Sequence, residues 1–424
     1  MDLLSSEECL LIAQTTLPEI NKSNLIVLSS QLDACSNDLM GYMGEYYKLE
    51  LEVEDIGEKK KYCLKYFIKS LPCKNEPQRK ECERKGVFKK ESAVYSKVLP
   101  KIQKYATKKL FPVCYYSRND ILVLEDLTQN YRHLKTPESY TIDHYKLVLE
   151  HLSELHAGSI AWEEKENLNI QERYKDVLIE LHLDADNSWY TTGLKAIVFL
   201  AARHPQYQTK EAQTFIQENL YNLLTKAEEF VAPSNTIRNV LCHRDTWDRN
   251  ILYSFEKDSS PIPNACCIVD FQLTKYCSPT LDVLFLLYIV ASAEVRKEIY
   301  DECLEHYYKS LESHLIRLGL DKNIITRENF LQECQRTKLA ALLIWALTEP
   351  QTKMSPSISN RLRSEEPEKF DYYLNCDRSE LLLRVMEIHP GYEQTIMSPI
   401  RELVDYLMEN ENLYAQKAKD KSGF

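Results

Sequence analysis

The chain is 424 residues long, more than one ordinary hydrophobic core serves, so two domains or lobes are expected. With 44% hydrophobic and 28% charged residues it reads as a soluble globular protein, not a disordered one. A formal net charge of -11 argues against a general binder of phosphate backbones, which carries a basic footprint, so no nucleic-acid partner is expected.

The thirteen cysteines are scattered and odd in number, and no CxxC pair occurs, which removes a disulfide framework and a zinc ribbon. The N-terminus, MDLLSSEECLLIAQ, has no basic stretch ahead of an apolar one and is not read as a signal peptide. The longest apolar run, VLFLLYIVA at residues 283–291, falls far short of the ~20 residues a membrane span needs. A cytoplasmic protein with reduced thiols is the expectation. Only nine glycines are present, with neither GxxxxGK[ST] nor GxGxxG among them, so a bound nucleotide is held without a P-loop or a Rossmann turn.

Residues 1 to about 40 read as helix-like pieces alternating with polar turns. Gly41-Tyr42-Met43-Gly44 follows. Gly41 and Gly44 form the one candidate for a phosphate-covering turn, with an ordinary turn as the alternative. Residues 48–54 alternate with period two, residues 56–60 supply a turn, and residues 61–69 return as a partner strand. One face of that strand carries Tyr62, Leu64, Tyr66 and Ile68, and the other includes Lys65 and Lys69. A helix is expected from about Glu81 to Leu99, with Val87, Phe88, Val94, Tyr95 and Val98 on one face together with Glu91. A carboxylate on a buried stripe is costly unless paired. Lys69 is the preferred partner and Lys65 the second choice, with a structural ion pair or a solvent-facing Glu91 as the plainer alternatives. The apolar run 121–124 closes on Glu125, Asp126 and Leu127 and reads as a strand ending at a lobe boundary, or as an ordinary strand–loop junction. The expected division is residues 1–127 and 128–424.

From Thr141 onward the pattern is mostly helical. Tyr145, Val148, Leu149, Leu152 and Leu155 form one stripe, with His156 read as a packed core histidine. Further helices are expected over residues 174–183, 194–202 and 211–231.

Two segments then carry the chemistry. LCHRDTWDRNILY (241–253) holds His243, Asp245 and Asn250 in one short loop, and CCIVDFQ (266–272) ends an apolar run on Asp270. Phosphoryl transfer from a nucleotide needs a base near the attacking hydroxyl and oxygen ligands for a Mg²⁺ that bridges the phosphates. Asp245 suits the first task, and Asn250 with Asp270 the second. The spacing His-x-Asp-x-x-x-x-Asn followed by apolar-apolar-Asp-Phe is that of a kinase catalytic loop and metal loop. A strand lysine paired to a helix glutamate, as Lys69 and Glu91 would be, holds nucleotide phosphates in the same chemistry.

Beyond these segments, Ser278-Pro279 marks a break before an apolar helix with Asp282 at its start, placed to cap that helix or to bond the catalytic loop. Helices are expected over 295–318 and 328–347, then a polar loop with Pro350, Pro356 and Pro367. A last helix is expected to begin at Ser398-Pro399, followed by a frayed tail, QKAKDKSGF.

The chain resembles the ecdysteroid-kinase-like family, in the choline-kinase-like branch of the protein-kinase-like fold. The likeness is carried, in order between residues 67 and 288, by FIKSLP, FKKESAVYSKVLP, LVLEDL, LSELHAGSIAW, LCHRDTWDRNILY and IVDFQLTKYCSPTLDVLFLLY, and extends over about residues 40 to 310. It implies an α+β, two-lobed architecture. A small N-lobe has an antiparallel sheet and one helix of the αC type, and a large C-lobe is mostly helical. It also implies an ATP- and Mg²⁺-dependent kinase that phosphorylates a hydroxyl of an ecdysteroid or of another lipophilic, ingested compound. On that resemblance Lys69 holds the phosphates, Glu91 orients Lys69, Glu125 and Leu127 lie beside the adenine, Asp245 is the base, and Asn250 and Asp270 bind Mg²⁺.

This chain departs from the family pattern in three places. Arg244 stands where small-molecule kinases of the branch usually carry glycine, and is read as a local loop or C-lobe contact, because no Ala-Pro-Glu follows Asp270. Gln272 replaces the glycine of Asp-Phe-Gly, and the Gly41–Gly44 turn is poor in glycine. A choline- or ethanolamine-type kinase, with acidic and aromatic residues around a cationic acceptor, and a catalytically silent binding module are the competing functions. Lys69, Glu91, Asp245, Asn250 and Asp270 together argue against silence.

Overall fold

The computed structural model describes residues 3–35, 43–73, 76–134, 140–257, 260–412 and 414. Among them nine strands form three antiparallel sheets: β1 (Leu25–Ala34), β2 (Glu45–Asp55), β3 (Lys60–Ser70), β4 (Cys114–Arg118), β5 (Ile121–Glu125), β6 (Val240–Cys242), β7 (Ile251–Ser254), β8 (Ala265–Ile268) and β9 (Lys275–Cys277). Helices make up most of the rest, so the class is α+β, as the sequence implies. No helix among the described residues is long and apolar enough to cross a membrane. The chain divides into two compact units.

The first unit holds residues 1–151 and 248–272. Its sheet has the order β1-β2-β3-β5-β4. The period-two pattern of β2 places Leu49, Leu51 and Val53 on one buried face, and β3 adds Tyr66 and Ile68. The helix Ser6–Thr16 closes over this face with Cys9, Ile12 and Ala13. Its start is fixed by a capping box, in which the Glu8 amide donates to Ser5 Oγ and the Ser5 amide donates to Glu8. Two strands were not expected: β1, which pairs with β2 as an edge, and β4.

The single helix expected over residues 81–99 is broken. Glu76–Lys85 ends at Gly86, whose φ of +67° turns the backbone before Val87–Ala93 begins. A π turn (Val94–Val98) and a short helix (Leu99–Gln103) follow. The first unit also runs past Leu127. Leu127 packs with Leu252 of β7 and Cys267 of β8, joined by Tyr131 and Val269. Arg132 pairs with Tyr253, so the β7–β8 hairpin belongs with the sheet unit.

The second unit holds residues 152–247 and 273–424. Its centre is the helix Thr280–Ile289, buried on all sides from Thr280 to Tyr288 and packed on Arg327–Thr352. Ser188–Arg203, Ala293–Arg317 and Tyr392–Glu409 add further buried stripes. Three expectations are corrected. Residues 174–183 form turns, not a helix. The stretch with Pro356 and Pro367 is three helices, Pro356–Glu365, Pro367–Asn375 and Ser379–Ile388, with each proline at a first helical position. The last helix starts at Tyr392, after Gly391, and carries Pro399 inside it. The expected frayed tail from residue 416 lies outside the described residues.

Candidate active site

In the first unit the geometry centres on Lys69. Its ammonium lies 2.8 Å from Glu91 Oε2 and 2.9 Å from Asp270 Oδ1. Lys65 instead faces solvent and pairs with Glu50. Strand β3 delivers Lys69 because it is near the strand's buried end, and Val87–Ala93 delivers Glu91 on its buried stripe. Burial alone would depress the lysine, but the charges of Asp270 and Glu91 outweigh it and hold the ammonium protonated. Burial and the neighbouring Asp270 push Glu91 up to about 7, against the pull of Lys69. Two carboxylates therefore share one cation.

Asp270 has φ +67°, a conformation that costs a non-glycine residue about 1–2 kcal/mol. Asn250 and Asp270 flank the hairpin at one end: Ile251 pairs with Ile268, and the Val269 amide donates to the Asn250 carbonyl at 3.0 Å. A carboxylate and a side-chain amide oxygen, the groups that Asp270 and Asn250 carry at this end of the hairpin, are the donors a hard divalent cation takes. The residues fit Mg²⁺.

The candidate nucleotide residues are placed unevenly. Gly41 lies outside the described residues. Gly44 sits against β3, and a Cβ there would stand 3.4 Å from Lys69 Cγ and 3.2 Å from the Ser70 carbonyl. The Glu125 carboxylate is taken by Lys109 and by the Val113 amide, and the Glu125 amide donates to the Val113 carbonyl at 2.8 Å. Asp126 accepts from the Thr128 amide and hydroxyl. Leu127 contributes to the apolar cluster with Leu252 and Cys267.

Asp245 belongs to the second unit. Its side chain is half-buried, and its amide donates to His243 Nδ1 at 3.1 Å. The loop is fastened from beneath by Asp282, whose oxygens accept from the amides of His243 (2.6 Å) and Arg244 (2.7 Å). Thr246 Oγ1 donates to the Asp282 carbonyl. His156 Nε2 lies 3.1 Å from Asp282, and His156 Nδ1 is 2.7 Å from Tyr307 Oη. Burial would raise the Asp282 carboxyl, yet His156 and the donated amides hold it below its ordinary value. The ligand atoms of His156, Cys242 and Asp282 lie within 4.8 Å of one another, but both ring nitrogens and both Asp282 oxygens already have protein partners. This cluster is a hydrogen-bond network.

Arg244 is buried and has φ +71°. Its contacts lie inside the second unit, with Val231, Cys277 and Glu180. Its Nη2 is 3.5 Å from Glu180, which also accepts from Lys275 Nζ at 2.8 Å. Sequence reasoning missed Glu180 and Lys275. The one available signal was a carboxylate within the apolar stretch VLIELHL.

A profile of the ecdysteroid kinase-like family matches residues 39–320, about two thirds of the chain. The chain belongs to that family. As a member it is a small-molecule kinase, a phosphotransferase with a hydroxyl acceptor. No curated protein matches the ecdysteroid kinase-like chain significantly. Similar solved structures include aminoglycoside phosphotransferase APH(2'')-Ib bound to ADP, at 14% identity and TM-score 0.39, covering 91% of this chain and 96% of that one. The gentamicin complex of APH(2'')-IIa is 11% identical, with 93% and 99% covered and a TM-score of 0.40. A choline/ethanolamine kinase family protein from Mesorhizobium loti is 11% identical, with 88% and 92% covered and a TM-score of 0.38.

Proposed function

We propose that the protein transfers the γ-phosphoryl group of ATP, with Mg²⁺, to a hydroxyl of an ecdysteroid or a similar lipophilic compound. The observation that carries this reading is the buried Lys69–Glu91–Asp270 cluster, with Asn250 at the same hairpin end. Lys69 binds phosphate oxygens, and Glu91 keeps its ammonium oriented. Gly44 allows the turn before β2 to approach the lysine stem. The segment ending at Leu127 lies beside the adenine, backed by the buried apolar cluster that Leu127 forms with Leu252 and Cys267. Asn250 and Asp270 hold the metal, which when bound neutralises charge on the phosphates.

Asp245 accepts the proton of the acceptor hydroxyl as that oxygen bonds to the γ-phosphorus. The bond to the bridging oxygen breaks and ADP departs with the electron pair. Family membership supports the lipophilic hydroxyl as acceptor.

The test is ADP formation by purified protein with MgATP against ecdysone, plant phenols and choline. Turnover on ecdysone or a phenol, abolished by EDTA and restored by added Mg²⁺, is expected. Turnover on choline alone would overturn the acceptor class, and turnover undiminished by EDTA would overturn the metal role.

A further inference from the structure

The residue before Asp245 combines two costly features that the proposed chemistry of Asp245 does not itself require. Arg244 is held in the left-handed region, φ +71°, and its guanidinium is 2% exposed. Its side chain runs into the interior of the second unit. Nη1 donates to the Val231 carbonyl at 3.4 Å and to Cys277 Sγ at 3.8 Å, and Nη2 is 3.5 Å from Glu180 Oε2.

Glu180 is a junction. The same oxygen accepts from Lys275 Nζ at 2.8 Å, and Oε1 accepts from the amides of His182 and Leu183 at 3.0 and 3.1 Å. One carboxylate thus ties the loop before Asp245, strand β9 and the irregular stretch 174–187 into one largely buried knot.

We propose that Glu180, acting through Arg244, is a positioning residue for Asp245. The proposal rests on the reading of Asp245 as the base. Asp282 fixes the two amides that precede Asp245 and His243 takes the Asp245 amide; Glu180 adds an anchor at the far end of the Arg244 side chain, which constrains the φ of Arg244 as well. That torsion sets the direction in which the following residue leaves the loop. Relaxation to negative φ, which sterics favour for any L-residue with a side chain, would swing Asp245 away from its place.

A buried guanidinium anchored to Glu180 opposes the relaxation, because the swing would break a desolvated charge pair. Lys275 shares the same oxygen, so the knot holds one carboxylate between two cations, and both lose their counter-charge if that carboxylate is removed. Glu180→Gln keeps the shape of the side chain and an acceptor for the two amides, and removes the charge that Arg244 and Lys275 share.

The experiment compares hydrogen exchange of peptides spanning 241–247 with steady-state kinetics, using MgATP and ecdysone, for the wild type, Glu180→Gln, Glu180→Asp, Arg244→Gly and Glu180→Gln/Arg244→Gly. Glu180→Gln should speed exchange in 241–247 about tenfold relative to the Thr280–Ile289 helix. It should lower kcat by roughly ten- to a hundredfold, the scale of a misplaced catalytic group, with KM for ATP within about twofold. Glu180→Asp should recover part of the loss. The double variant should be no worse than Arg244→Gly alone, as expected for residues acting as one unit.

Exchange in 241–247 that stays at the wild-type rate, or rises equally throughout the second unit, overturns the proposal; this arm needs no acceptor. If Asp245→Asn keeps its turnover, the base reading fails, and the proposal with it. If Asp245→Asn is inactive while Glu180→Gln matches the wild type in both kcat and exchange, only the positioning proposal fails.

Discussion

Lys69 is the residue on which the first unit's chemistry and stability meet. Its ammonium is the one cation within ion-pair distance of both Glu91 and Asp270 among the described residues, and the Glu91 side chain is fully buried. Removing one partner of a buried pair leaves an uncompensated charge. Lys69→Met is therefore expected to destabilise the fold by about 3–5 kcal/mol and to weaken ATP binding, measured by denaturant midpoint and by calorimetric titration. A variant as stable as the wild type would show that Glu91 is not held by this ion pair.

Glu180 gives a prediction with a sign. Burial would raise its carboxyl, but Arg244, Lys275 and the His182 amide hold it well below the usual carboxylate range. A carboxyl whose folded value is depressed adds stability that is fully present above its unfolded value of about 4.3. That stability is lost as pH falls toward the folded value. The wild type should be more stable than Glu180→Gln at pH 7, and the gap should shrink as pH is lowered from 5 to 3. A gap that is constant across that range would contradict the ion pair.

At the scale of elements, Gly86 decides how Glu91 is presented. It separates Glu76–Lys85 from the helix that carries Glu91, and its φ is +67° with no heavy atom within 4 Å of where a Cβ would sit. Gly86→Ala thus meets backbone strain alone. It should cost about 1–2 kcal/mol, and Gly86→Asn should cost less because asparagine tolerates the left-handed region. Equal stability of all three by denaturant titration would show that the break does not depend on the glycine.

Elements were legible in the sequence where burial alternates sharply. The β2–β3 hairpin shows a clean period of two. β1 is exposed along most of its length and β4 is half-buried throughout, so neither produces an alternation to read. The helix expected over 174–183 has the right apolar spacing in Val177, Leu178 and Leu181. There the Glu180 carboxylate instead accepts from the amides of His182 and Leu183, a side-chain bond that competes with helical ones. Pro356 and Pro367 read as loop signals because a proline at a helix start looks, in sequence, like one that ends a helix.

At the scale of the molecule, the candidate site was legible to the extent that its chemistry is local. Asp245, Asn250 and Asp270 lie in two short segments, and a carboxylate on the buried stripe at Glu91 demanded a cation, which Lys69 supplies. Glu180 joins Arg244 and Lys275 across 64 and 95 positions, and no local pattern marks a partner so distant.

The central claim is that Asp245 is the base of a phosphoryl transfer. The most direct measurement is label transfer from γ-³²P-ATP to ecdysone by the wild type and by Asp245→Asn, with ATP affinity measured in parallel. Loss of a general base should slow transfer by about 10²- to 10⁴-fold while ATP binds nearly as before. Near-normal transfer by Asp245→Asn would contradict the account.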